Sequence, residues 1–231
     1  LQVKEFDDKM YVVMVTAKGV IKKTNLIEYS RPRSTGVNAI TLRDKDELVA
    51  CKITTGKDEI FMATREGKAI RFREKDVRNM GRTASGVRGM NLGKSDEIVA
   101  VEVVNPKATA LTVTQNGFGK KTPFAQYRIQ SRGGKGIINV KVSSKNGEVV
   151  NVLTVAEEDE IILVTTGGMV VRCPVNQIRT SGRNAVGVKV MRLHEKDKIA
   201  SATRVVAKDE GGGSASDARQ LDLIDGKKGK K

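Results

Sequence analysis

The chain has 231 residues, of which 39% are apolar and 3% aromatic, and its formal net charge is +15 at pH 7. No apolar stretch approaches the roughly 18 residues of a membrane-spanning helix, and the two cysteines, Cys51 and Cys173, are too few for a disulfide framework, so we expect free buried thiols and a reducing cytosol. The excess of cations indicates a polyanionic partner. Because aromatic rings that could stack on unpaired bases are scarce, duplex DNA is favoured over single strands or RNA loops.

One sequence pattern occurs four times, in residues 11–54, 59–104, 110–155 and 160–206. In each repeat a short apolar run ends in Thr, and a glycine follows three residues later: Gly19, Gly67, Gly117 and Gly168. Four residues beyond that glycine stands a cation: Lys23, Arg71, Lys121 and Arg172. A second glycine follows at Gly36, Gly86, Gly136 and Gly187, then a turn and a last apolar run. Repeats of this length that lack a helical period indicate stacked β units.

The repeats predict an all-β fold. The first two runs of each repeat are joined through "AKG", "REG", "QNG" or "TGG", which predicts hairpins whose glycine has a positive φ. Only short pieces such as "REKDVRNM" could form a helical turn. We therefore expect residues 1–208 to form a propeller-like arrangement of about four four-stranded antiparallel blades, either closed into a ring or incomplete and open. The glycine-rich, polar composition of residues 209–231 predicts a flexible tail.

Positive charge recurs in every repeat. The four repeats carry net charges of +4, +2, +6 and +5, whereas residues 209–231 hold five acidic and five basic residues. A neutral tail is expected to inhibit DNA binding little. A cationic patch repeated once per blade predicts a basic belt around the domain.

The segment "QSRGGKG", residues 130–136, combines cations with glycines. A nucleotide-binding P-loop requires an upstream glycine and a Ser or Thr after its lysine. Here Gly136 follows Lys135 and the upstream glycine is missing. The segment instead occupies the place of "RPRSTG", "GRTASG" and "GRNAVG" in the other repeats, each of which carries an arginine before the second glycine. Gly133 and Gly134 would allow main-chain N–H groups to approach phosphates closely.

This segment resembles the gyrase A box, a Q-R-R-G-G-K-G-like heptapeptide of the C-terminal domain of DNA gyrase A. The runs "VTAKGVIKKT", "ATREGKAIRF", "VTQNGFGKKT" and "SGRNAVGV" are similar to blade signatures of the same family. The resemblance covers roughly residues 9–208. The sequence departs from the family pattern at Ser131, and its box-like segment lies in the third repeat, whereas the family's box lies in the first blade. The resemblance thus implies that the earliest blades lie upstream of Leu1.

The resemblance implies a β-pinwheel, in which neighbouring blades exchange a strand, and a basic rim that wraps duplex DNA to support ATP-dependent negative supercoiling. It implies no catalytic site in this chain, because the DNA-cleaving tyrosine lies outside this domain, and no cofactor here, ATP and magnesium being bound elsewhere in the holoenzyme. The implied partners are the rest of gyrase A and the ATPase, gyrase B, in an A2B2 assembly. The implied location is the bacterial cytoplasm, at the chromosome.

The candidate DNA-binding residues are the cations of the first hairpin and of the following loop. Those near the hairpin are Lys22, Lys23, Arg71, Arg73, Lys120, Lys121 and Arg172. Those of the loop are Arg31, Arg33, Arg82, Arg88, Arg128, Arg132, Lys135, Arg179, Arg183 and Lys189. The box-like loop comprises Gln130, Ser131, Arg132, Gly133, Gly134, Lys135 and Gly136. Contact with roughly ten phosphates predicts a slope of about −9 for log affinity against log salt.

Two alternative functions stay open at this point. One is the C-terminal domain of topoisomerase IV, which would bind DNA crossings without tight wrapping. The other is a propeller-type scaffold for protein interactions. A scaffold predicts a rim of mixed charge and binding that survives high salt, whereas four positive repeats favour DNA.

Overall fold

The structure, a computed structural model, describes residue 3 and residues 5–205, so the predicted tail lies outside the described residues. The described part forms fifteen β-strands: β1 Tyr11–Thr16, β2 Val20–Asn25, β3 Leu48–Thr54, β4 Glu59–Thr64, β5 Lys68–Arg73, β6 Val87–Arg88, β7 Ile98–Val103, β8 Thr109–Thr114, β9 Phe118–Pro123, β10 Ile137–Ile138, β11 Val149–Val155, β12 Glu160–Thr165, β13 Val170–Pro174, β14 Val188–Lys189 and β15 Ile199–Val205. Four 3₁₀ turns follow β2, β5, β9 and β13, at Leu26–Tyr29, Glu74–Asp76, Phe124–Gln126 and Val175–Gln177. Within the described residues, no helix has the length and apolar character needed to cross a membrane.

The strands form four antiparallel sheets, which confirms the predicted all-β pinwheel. Their orders are β3-β1-β2-β6, β10-β5-β4-β7, β11-β8-β9-β14 and β13-β12-β15. The outermost strand of each of the first three sheets belongs to the next repeat. In the first sheet, for example, Val87 pairs with Ile21. Each repeat is therefore fastened to its predecessor by main-chain hydrogen bonds, and the last sheet has three strands in the described part of the chain.

The predicted hairpins are present in all four repeats. Gly117 ends the turn between β8 and β9 with φ +78°, and its N–H donates to the carbonyl oxygen of Thr114 at 3.1 Å. Glycine suits this turn because a Cβ atom disfavours the left-handed region by about 1–2 kcal/mol. The same turn occurs at Gly19, Gly67 and Gly168.

Apolar contacts between consecutive sheets form the core. Successive side chains of a strand point to opposite faces, and both faces of β4 are buried. Ile60 and Met62 pack with residues of the first repeat, whereas Phe61 and Ala63 pack with the third. This two-sided burial explains why "EIFMAT" is apolar at successive positions rather than at alternate ones.

Each sheet has an inner and an outer edge. The strands β3, β7, β11 and β15 contact one another from sheet to sheet and therefore lie on the inner side. The two-residue strands β6, β10 and β14 lie on the opposite, outer edge. The loops that lead into these outer strands are consequently held at the periphery of the domain.

Candidate nucleic-acid interface

Three basic loops lie side by side along the outer edge. We call residues 81–86, 131–136 and 182–187 the rim loops; each leads directly into an outer strand, β6, β10 or β14. The Arg132 guanidinium donates to the carbonyl oxygen of Arg88 at 3.0 Å, and Arg183 donates to that of Ile138 at 2.8 Å. Each contact joins one rim loop to the outer strand of the preceding repeat. The rim loops therefore form a continuous surface across successive repeats.

Nine of the predicted DNA-binding cations are exposed: Arg31, Arg33, Arg73, Arg88, Arg128, Lys135, Arg172, Arg179 and Lys189. Arg82, Arg132 and Arg183 are half-buried in the rim loops. Exposed Arg78 was missed by the sequence analysis. It lies eight residues before Gly86, as Arg128 does before Gly136, so alignment on the second glycine would have identified it.

Lys22 and Lys120 are buried, which corrects their sequence-based placement on the DNA-facing surface. They are 0% and 1% exposed. The Lys120 ammonium donates to three main-chain carbonyl oxygens, and that of Lys22 donates to the carbonyl oxygens of Ala39 and Arg82. Burial and a neighbouring arginine, Arg82 for Lys22 and Arg183 for Lys120, lower each lysine's pKa to about 8. Neither ammonium can reach a phosphate from this position.

The cation four residues beyond the hairpin glycine forms an ion pair in every repeat, which also differs from the sequence-based expectation. Buried Lys121 bonds to Glu157 at 2.6 Å, and buried Lys23 lies 3.9 Å from the Glu74 carboxylate. The Nε atoms of Arg71 and Arg172 donate to Glu59 at 2.7 Å and to Glu160 at 2.6 Å. Only Arg172 is exposed. This recurrence therefore reflects charge pairing within the domain.

The box-like loop, Gln130–Gly136, packs against the second repeat. The Gly133 N–H donates to the carbonyl oxygen of Gly89 at 2.6 Å, and the Asn91 N–H donates to that of Gly134 at 2.9 Å. Ser131 and Lys135 are exposed, whereas Gln130 is half-buried. The main chain thus fixes the glycines close to β6, while Lys135 faces outward from the same loop.

The rim offers exposed cations to an extended polyanion. Arginine and lysine side chains spaced along successive repeats suit contacts with phosphates, which position a duplex without reading its sequence. Within the described residues, no group of three or more His, Cys, Asp or Glu side chains could hold a metal ion. Cys51 and Cys173 are half-buried free thiols, and burial raises the pKa of both.

Comparison with curated proteins identifies similar chains in several organisms. The chain is 41% identical over 226 residues to the A subunit of DNA gyrase from Salmonella typhimurium, covering 98% of this chain and 25% of that protein. It is 43% identical over 197 residues to the A subunit of DNA gyrase from Haloquadratum walsbyi, covering 84% of this chain and 23% of that protein. The chain thus spans about a quarter of the length of these relatives.

Two solved structures share the fold. A structure of the DNA gyrase A C-terminal domain matches with a TM-score of 0.80 and 29% identity, over 88% of this chain and 68% of that one. A crystal structure of the C-terminal domain of DNA topoisomerase IV matches with a TM-score of 0.84 and 27% identity, over 89% of this chain and 64% of that one. The family model "DNA gyrase C-terminal domain, beta-propeller" matches residues 11–55, 58–105, 109–156 and 159–205. The chain belongs to this family of DNA gyrase C-terminal domains.

Proposed function

We propose that this chain binds duplex DNA along its rim loops and bends it around the domain. The observation that carries the proposal is the continuity of the rim, because the Arg132–Arg88 and Arg183–Ile138 contacts hold consecutive basic loops next to one another. A duplex that follows this surface meets cations from each of three successive repeats. In this proposal the domain contributes DNA binding and no catalytic step.

The contacts go to phosphates, so the affinity depends steeply on salt and weakly on sequence. If the eight exposed cations of the predicted set other than Arg172, which pairs with Glu160, each neutralise one phosphate, log affinity falls against log salt with a slope of about −7. Sequence preference then comes from the cost of bending each DNA segment.

In the holoenzyme, this wrapping supports negative supercoiling by a type II topoisomerase, DNA gyrase. The partners are the rest of gyrase A and the ATPase, gyrase B, in an A2B2 assembly, which binds ATP and magnesium outside this chain. The location that follows is the bacterial cytoplasm, in association with the chromosome.

A topological assay tests the proposal. The chain is incubated with nicked circular DNA, the nick is sealed by ligase, the protein is removed, and the topoisomers are resolved at low and moderate salt. A shift toward positive supercoils in proportion to added protein supports wrapping. Binding without a shift supports the topoisomerase IV alternative, which the TM-score of 0.84 to such a domain makes the second candidate. Failure to bind DNA at low salt contradicts DNA binding and leaves the protein scaffold, whose binding to a protein partner would survive high salt, as the remaining alternative.

A further inference from the structure

In each of the first three repeats, the residue three positions after the hairpin glycine lies next to the rim loop of the following repeat. This position is occupied by Lys22, Ile70, Lys120 and Val171 in the four repeats. In the third repeat, the Lys120 ammonium donates to the carbonyl oxygens of Asn139 at 2.7 Å, Gly182 at 2.7 Å and Arg183 at 2.6 Å. A lysine ammonium has three N–H donors, so all of them are used by main-chain groups.

These three bonds connect two repeats. Asn139 immediately follows β10, whereas Gly182 and Arg183 belong to the rim loop of the fourth repeat. The Arg183 guanidinium completes the connection by donating to Ile138. The fourth-repeat loop is therefore held to the third repeat both by the Lys120 ammonium and by its own arginine.

The first repeat contains the same arrangement, and the second replaces it. Lys22 donates to Ala39 and Arg82, which stand where Asn139 and Arg183 stand in the later repeats. In the second repeat Ile70 occupies the lysine position, and the Gly133 N–H supplies the donor to Gly89, the counterpart of Asn139. The carbonyl oxygen at this place thus accepts a hydrogen bond in each of the first three sheets, from a lysine in two and from the glycine-rich loop in one.

We propose that Lys120 is a positioning residue for DNA binding, which fixes the rim loop 182–187 and thereby the exposed cations on either side of it, Arg179 and Lys189. The inference rests on the proposed DNA binding, but its structural part can be tested without DNA. Lys120 acts through the loop, because its buried ammonium cannot contact a phosphate. Removing it takes the ammonium donor from three carbonyl oxygens, of which, within the described part of the chain, Gly182 alone keeps a second donor, the Ala185 N–H. This loss favours local opening of the loop.

Hydrogen exchange tests the structural part. Lys120→Met is compared with Lys121→Met, which removes an equal charge from the adjacent buried lysine that pairs with Glu157. We expect amide exchange in residues 182–187 to accelerate on the order of tenfold or more in Lys120→Met only. Exchange in residues 81–86 and 131–136 serves as an internal control and should not change. If exchange in 182–187 is unchanged, the proposal is overturned. If Lys120→Met does not fold, Lys120→Ile, which also removes all three N–H donors and introduces the residue that the second repeat has at position 70, replaces it under the same criterion.

A double-mutant cycle tests the functional part. DNA affinity is measured for the single variants Lys120→Met, Arg183→Ala and Arg132→Ala. It is also measured for the two double variants that combine Lys120→Met with each arginine substitution. We expect Lys120→Met to weaken binding about tenfold, as loss of one or two phosphate contacts would. The effects of Lys120→Met and Arg183→Ala should be non-additive, because both lose the same loop contacts, whereas Lys120→Met and Arg132→Ala should be additive. Additivity with Arg183→Ala overturns the positioning role. Absence of DNA binding by the unmodified chain contradicts the proposed function instead, and the exchange result still decides whether Lys120 fixes the loop.

Discussion

The Gly133 N–H donates to the carbonyl oxygen of Gly89 across 2.6 Å, and this bond joins the box-like loop to the residue that directly follows β6 in the second repeat. Gly133 adopts φ +80°, in the left-handed region. The next residue, Gly134, lies outside that region. A Cβ atom at either position would meet its nearest neighbour at 3.6 Å, an ordinary contact. The two glycines therefore differ in backbone conformation and not in available space.

We predict that Gly133→Ala lowers the free energy of unfolding by about 1–2 kcal/mol, because alanine disfavours the left-handed region by that amount. The matched control Gly134→Ala should change it by less than about 0.5 kcal/mol. Urea unfolding of both variants provides the measurement. Equal losses would show that the Gly133 main chain relaxes to another conformation and that the bond to Gly89 is dispensable.

The repeat pattern predicted the sheets well because hairpin glycines and apolar runs recur at nearly constant spacing. The pairing of outer strands could not be read from residue patterns, since two-residue strands such as Val87–Arg88 and Ile137–Ile138 are too short to show an alternation. Their exchange between repeats entered only through the family resemblance. A long strand can be predicted from its own pattern of apolar residues. A two-residue strand is defined only by its hydrogen bonds to a neighbouring strand.

The buried lysines were mispredicted for a related reason. Lys120 is satisfied by carbonyl oxygens up to 63 residues later, and a lysine in a strand ordinarily indicates exposure. The sequence does contain a signal that would have corrected this. The equivalent residues Ile70 and Val171 are apolar, and an apolar residue in two of four copies indicates an interior position.

Substitutions of the hairpin glycines in the third and fourth repeats allow the cost of steric overlap to be measured separately from the cost of backbone strain. Gly117 and Gly168 have φ +78° and φ +84°. A Cβ atom at Gly117 would lie 2.4 Å from the carbonyl oxygen of Met191, whereas one at Gly168 would meet nothing within 4 Å among the described residues. We predict that Gly168→Ala costs about 1–2 kcal/mol of unfolding free energy, and that Gly117→Ala costs about 1–3 kcal/mol more through overlap. Chemical denaturation measures both, and equal costs would contradict tight packing of the third hairpin against the fourth repeat.

Arg71 and Arg73 lie on the same strand, but we expect substitution of Arg71 to affect stability and substitution of Arg73 to affect DNA binding. The Arg71 guanidinium donates to Glu59 and to the carbonyl oxygens of Phe124 at 2.7 Å and Tyr127 at 3.3 Å, so it links the second repeat to the third. Arg73 is exposed. We predict that Arg71→Met lowers the unfolding free energy by about 2–4 kcal/mol, because buried acceptors lose a charged donor. Arg73→Met should leave stability within about 0.5 kcal/mol and reduce the magnitude of the salt slope of DNA affinity by about 1.

Denaturation curves and salt-dependent binding isotherms of the two variants test whether one substitution changes stability and the other changes DNA binding. A large stability loss in Arg73→Met would mean that its side chain packs within the domain. An unchanged salt slope in Arg73→Met would remove that arginine from the proposed DNA surface. An unchanged stability in Arg71→Met would contradict its role in joining the two repeats.

The titration of Lys120 gives the stability of the chain a specific pH dependence. Burial, together with Arg183, lowers the lysine's pKa from the ordinary 10.5 to about 8 in the folded chain. Between these two values the unfolded chain holds the proton more tightly than the folded chain, so the unfolding free energy contributed by Lys120 rises with pH. We predict that the difference in unfolding free energy between the unmodified chain and Lys120→Met increases from pH 8 to pH 10.5 and is constant below pH 8.

Urea unfolding at several pH values measures this difference, in which the titration of other groups cancels. An NMR titration of the lysine locates the folded-state pKa directly. A flat difference across this window would mean that the three carbonyl oxygens offset the penalty of burial and keep the ammonium protonated.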